Sequence, residues 1–163
     1  MPTPEEITDL IGRYALGPRR LAEAVAGLSR DELLFSPGPG HWTIHENVVH
    51  VAETDLVAAT RIRFALGEPG AAFVAFDEQR WAAAMDYLAV PLDDALAMLR
   101  TVREVTAVML RRLPPEAWTR TGMHPQAGPQ TIAYIVDYFT GHVDYHLNTI
   151  AKRRRQYAEH GGR

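Results

Sequence analysis

Residues 131–158 read TIAYIVDYFTGHVDYHLNTIAKRRRQYA. Ile132, Ile135, Val136, Phe139, Val143, Leu147 and Ile150 recur there at the spacing of one face of an α-helix. With His142 as zero, these side chains spread from about 20° to about 140°, a stripe wide enough to pack against other helices. His146 falls at about 40°, inside the stripe, and His142 at its edge. Thr131, Tyr138 and Tyr145 flank the polar side. Four residues apart, the second imidazole lies about 40° round and about 6 Å along from the first. Both rings can therefore reach one metal ion. Two partly buried histidines, each bonded to a carbonyl or a tyrosine, satisfy the same pattern, so the pair alone leaves both readings open.

The rest of the chain is also helical. Residues 4–28 form a first helix, opened by Pro4 and carrying Leu10, Ile11, Tyr14, Leu21 and Val25 at helical spacing, with Gly17-Pro18 as a site for a kink. Ser36-Pro-Gly-Pro-Gly40 is a loop. Thr43-Ile-His-Glu46 is a capping box, and the helix it opens runs to about Leu66, before Gly67-Glu-Pro-Gly70. A short helix near 77–87 follows, then a long one from Pro91 to just before Pro114-Pro115. Residues 114–130 are irregular, and no segment alternates with the period of a strand. Four long helices and one short one, with no linker or repeat to divide them, predict an all-α four-helix bundle forming one domain over residues 1–163.

Composition narrows the function. The chain has 163 residues, enough for a core without staples, and 47% are apolar. Without cysteine it has no disulfide, no thiolate nucleophile and no Cys-type zinc site, so a bound metal must be held by His, Asp, Glu or solvent. No apolar run approaches the roughly 20 residues of a membrane span, and no signal-peptide pattern opens the chain. A soluble, cytoplasmic protein without membrane partners is expected. The formal charge of −3 offers nucleic acid no general attraction. The exception is Lys152-Arg-Arg-Arg155, in the last turns of the final helix, where cations suit the negative end of the dipole.

The second helix is harder to orient. Its best apolar stripe is Ile44, Val48, Val51, Ala59, Ile62 and Leu66. His50 lies roughly 160° from the centre of that stripe, sharing a mixed face with Asn47, Thr54, Val57 and Arg61. Periodicity thus leaves His50 facing either solvent or the wall of a polar pocket. Val49, Leu56, Val57 and Phe64, off the main stripe, indicate a helix contacted from more than one side.

Trp42-Thr-Ile-His-Glu-Asn-Val-Val-His50-Val-Ala-Glu-Thr-Asp55 resembles the second-helix signature of the DinB/YfiT-like proteins. His124-Pro-Gln-Ala-Gly128 through Thr131 to Gly141-His-Val-Asp-Tyr-His-Leu147 resembles that family's closing pattern. The match covers essentially the whole chain in helix order and length. The resemblance implies a four-helix bundle holding a divalent metal (zinc, nickel or iron) on His50, His142 and His146, with coordination positions left open for water or substrate. It also implies a homodimer, and an activity on a small-molecule substrate as a thiol-dependent S-transferase or a hydrolase-like enzyme. In the first case the ion would bind and deprotonate a low-molecular-weight thiol. In the second it would lower the pKa of bound water. The alternatives are a non-catalytic metal- or small-ligand-binding stress-response protein and a structural helical dimerisation module.

Glu53, one turn beyond His50, is the candidate catalytic carboxylate, to orient His50 or act on bound water; Glu46 lies one turn before it but is already used by the capping box. Tyr138 and Tyr145 can donate to a bound anion. His124 sits in the loop before the last helix, where a pocket could be covered. His41 and His45 bracket the start of the second helix, and His160 falls in the tail. Trp42 is expected to anchor its loop in the core. Arg61, Arg120 and Arg153–Arg155 are candidate clamps for a substrate carboxylate, and nothing in the sequence selects among them.

Overall fold

The computed structural model describes residues 2–161. The helices are α1 (Pro4–Val25), α2 (Arg30–Leu34), α3 (Ile44–Gly67), α4 (Glu78–Ala84), α5 (Leu92–Leu110) and α6 (Ile132–Gly161). A 3₁₀ turn (Pro115–Thr119) and two strands, β1 (Thr121–His124) and β2 (Gly128–Thr131), lie between α5 and α6. The helix starts are set by local chemistry. Thr3, Ser29 and Thr43 each form a full capping box, with Glu6, Glu32 and Glu46. Asp77 caps α4 through the Arg80 amide.

The four long helices close into a ring in which successive neighbours are α1, α6, α3 and α5. The apolar core has two parts. One gathers Leu10, Tyr14, Ile62, Trp118, Ile132 and Phe139; the other gathers Leu21, Val48, Val51, Leu99, Val143 and Ile150. A polar layer lies between them at mid-height. Arg103 of α5, fully buried, forms two hydrogen bonds to Asp55 of α3, at 2.8 and 2.9 Å. It also donates to the backbone carbonyls of Tyr14 in α1 and Phe139 in α6. One guanidinium thus ties all four long helices together. Gly17 makes room for it, because a Cβ there would run into Arg103 Nη1.

Three expectations change. Residues 121–131 form an antiparallel hairpin, pairing Thr121 with Thr131 and His124 with Gly128, where an irregular loop was expected. Four-residue strands containing Gly122, Gly128 and Pro129 are too short and too poor in side chains to show alternation. The five-residue α2 was likewise too short for a period to register. The first helix ends at Val25, with Gly27 at φ +74, short of the expected boundary at 28.

Candidate metal centre

α3 and α6 pack side by side in the ring and bring His50, His142 and His146 together. His50 Nε2 lies 3.2 Å from His142 Nε2, and His146 Nε2 lies 3.1 Å from the same atom. His50 and His146 are buried, at 1% and 4% exposure, and His142 is half-buried. The face that periodicity left undecided is buried: Asn47 and His50 line a cavity, and Thr54 and Arg61, farther along the same face, are buried as well. α3 is covered on several sides because it touches α5 and α6 and also meets α2, α4 and β1.

Each ring is held differently. His146 Nδ1 lies 2.7 Å from Asn47 Oδ1, while Asn47 Nδ2 donates to the Thr43 carbonyl at 2.7 Å. The amide orientation is therefore fixed by two partners. His146 carries its proton on Nδ1, and its Nε2 presents a lone pair to the centre of the cluster. His50 packs against the Trp42 ring at 4.6 Å, and His142 against Tyr138 and Phe139. The Nδ1 atoms of His50 and His142 are buried without a partner among the described residues.

Burial, reinforced by neighbouring positive charge, holds all three imidazoles neutral. Desolvation and then His142 push His50 down to about 3. Desolvation and then Arg103 push His142 down to about 4. Desolvation, then His142 and His50, push His146 down to about 2. Neutral rings are what a metal requires. The spacing also fits, since two nitrogens bonded at about 2.05 Å to a tetrahedral ion lie about 3.3 Å apart. Three converging neutral donors with no acid among them would suit a borderline divalent ion and would leave it able to take water or substrate as a further ligand.

The three histidines border a cavity of about 240 Å³ that is also lined by Trp42, Asn47, Glu78, Tyr145 and Arg153, among others. Glu78, on α4, is the carboxylate at this wall; its sequence signal was only that of a first-turn acid after Asp77. Glu53 is half-buried, its carboxyl raised by desolvation, and it is not among the lining residues. Glu46 is engaged in the capping box. Tyr145 lines the cavity, whereas Tyr138 stacks on His142. Trp42, expected in the core, is half-buried and walls the cavity instead.

The remaining candidates separate. His124 Nδ1 accepts from the amides of Gln126 and Ala127 and so stabilises the hairpin turn. His45 bonds the Val90 carbonyl, His41 is exposed at the cavity rim, and His160 is exposed near the end of α6. Arg120 donates to the Leu66 carbonyl and Arg61 to the Val74 carbonyl. Arg153 is not the helix-end cation its cluster suggested. It is buried at 6% exposure and lines the cavity, because α6 continues to Gly161 and its inner face stays covered there.

The family model for the DinB superfamily matches residues 13–150. This chain belongs to the DinB superfamily. Among its relatives, a protein of Oceanobacillus iheyensis named "putative metal-dependent hydrolase" is 28% identical over 140 residues, covering 84% of this chain and 81% of the relative. One of the same description from Bacillus mycoides is 26% identical over 152 residues, covering 93% and 83%. The solved structure of YfiT from Bacillus subtilis, described as a probable metal-dependent hydrolase with an unusual four-helix bundle topology, superposes with a TM-score of 0.90 at 22% identity. That match covers 97% of this chain and 91% of YfiT, and it establishes the shared four-helix fold. No helix among the described residues is long and apolar enough to cross a membrane.

Proposed function

We propose that this superfamily member is a metal-dependent enzyme of hydrolase type that acts on a small molecule, with a divalent ion held by His50, His142 and His146. The convergence of three neutral Nε2 atoms, those of buried His50 and His146 and half-buried His142, at the wall of a cavity carries the reading. A bound divalent ion supplies Lewis acidity and lowers the pKa of an oxygen or sulfur ligand in its open positions. The protein's own groups do the rest. Asn47 fixes the tautomer of His146, Trp42 packs the His50 ring in place, and Glu78 is the carboxylate placed to accept a proton from an attacking group. Thiol transfer is the second reading, with an external low-molecular-weight thiol as nucleophile. It is supported by a chain that has no cysteine of its own.

The test is elemental analysis of untagged wild type beside His50→Ala and His142→Ala, followed by a panel of esters, amides and thiol–electrophile pairs. Near-stoichiometric metal in wild type and its loss from both variants are expected, with activity that a chelator abolishes. Undiminished metal in His50→Ala would remove that residue from the site. On any substrate the panel yields, Glu78→Gln should lower kcat by about 10²-fold with metal content intact, while Glu53→Gln should stay within about twofold. The reverse ranking would transfer the proton-accepting role to Glu53.

A further inference from the structure

Three arginines are buried among the described residues: Arg61, Arg103 and Arg153. Arg103 meets a carboxylate, Asp55. Arg61 lines a separate apolar groove and donates to the Val74 carbonyl. Arg153 is different. Its Nε donates to the Trp42 carbonyl at 3.1 Å and its Nη1 to Gln156 Oε1 at 2.8 Å, both uncharged acceptors. Among the described residues it forms no salt bridge, and Nη2 makes no hydrogen bond. Burying a cation without a counter-charge is costly, and an anion brought into the same cavity offsets that cost.

The cavity has a polarity. Arg153 follows His146 by seven residues on α6, which returns it to the same face within about 20°. Long helical side chains lean toward the N-terminal end of their helix, here toward His146. Trp42 links the two ends, its carbonyl holding Arg153 and its ring packing on His50. Glu78 is the acidic residue of the lining. It shares a second recess with Asp137, Tyr138, Gly141, His142 and Tyr145, to which Arg153 does not contribute. The other side chains that line the cavity, among them His41, Gln79 and Thr149, bring no fixed negative charge.

We propose that Arg153 anchors a carboxylate on the molecule that reaches the histidine cluster, so that the cavity takes small carboxylates carrying their reactive group a few bonds from the anion. The proposal rests on the reading of the three histidines as a metal site. A guanidinium holding one carboxylate by charge-assisted hydrogen bonds fixes which end of the substrate faces the ion, which is a positioning role with a selectivity signature.

The experiment uses cobalt-loaded full-length protein and visible absorption as the readout. Mercaptoacetate, 3-mercaptopropionate and 4-mercaptobutyrate are titrated against their neutral amides. At one chain length at least, wild type should bind the acid about tenfold more tightly than the amide. In Arg153→Met this preference should fall to within about twofold while the amide's Kd is unchanged. Arg153→Lys should keep part of the preference, and Arg155→Met, at an exposed neighbour, all of it. Equal binding of acid and amide by wild type at all three lengths would overturn the proposal. So would a full preference surviving in Arg153→Met or, if that variant does not fold, an undiminished preference in Arg153→Lys. Failure of wild type to take up cobalt would overturn the metal reading and this one together; uptake without preference would overturn this one alone.

Discussion

Asn47 spends both ends of its amide on neighbours, donating to the Thr43 carbonyl that precedes α3 and accepting from His146 on α6. It therefore couples the start of one helix to the protonation pattern of a residue 99 positions away. Replacing it by alanine leaves His146 free to rotate and to exchange tautomers. Asn47→Ala should weaken metal binding by about 10- to 100-fold, read by competition with a chromophoric chelator, with little change in helix content. Unchanged affinity would show that packing alone orients His146. This contact was not legible in the sequence, since an asparagine one turn inside a helix has no period linking it to a distant histidine. The histidines themselves were legible to different degrees. His142 and His146 sit on a clean stripe, whereas His50 was recognisable only through the motif around it, because its own helix face reads as polar.

At the level of the elements, starts were readable and interiors less so. Thr43 and Glu46 announced α3, and the structure shows the box they form. The face of α3 that is buried could not be read, since Asn47, His50, Thr54 and Asp55 are all buried on a helix that also buries Val48, Val49, Val51 and Ala52. Polar residues satisfied by partners on other helices look the same in sequence as polar residues meant for water. Gly17 makes the same point inside α1. A glycine to alanine change within a helix usually gains about 0.5–1 kcal/mol. Here the added methyl meets Arg103, whose position is fixed by four bonds. Gly17→Ala should therefore destabilise the protein, by about 1–3 kcal/mol, in urea unfolding. A gain in stability would mean that the guanidinium moves aside freely.

The whole molecule is a ring of four helices with a polar layer between two apolar cores, and its stability should register both the layer and the histidine cluster. Asp55→Ala leaves Arg103 buried without its counter-charge, and a loss of about 3–5 kcal/mol is expected; a loss under about 1 kcal/mol would mean that water reaches the layer. The cluster gives the molecule a dependence on pH even without metal. His50, His142 and His146 are held at about 3, 4 and 2 in the folded protein, against about 6.5 in an unfolded chain. Their folded pKa values are depressed, so between those values and 6.5 the unfolded state binds more protons, and stability rises with pH. Read downward, acidification from pH 7 to 5.5 protonates the three rings only in the unfolded chain. The cost is about 1 kcal/mol for each, or about 3 kcal/mol together. Urea unfolding of chelator-treated protein at the two pH values measures it, and a His50→Phe variant should lose about 1 kcal/mol less over the same interval. Equal stability at pH 7 and 5.5 would mean that the rings accept protons in the folded state, with water or movement of α6 relieving their repulsion.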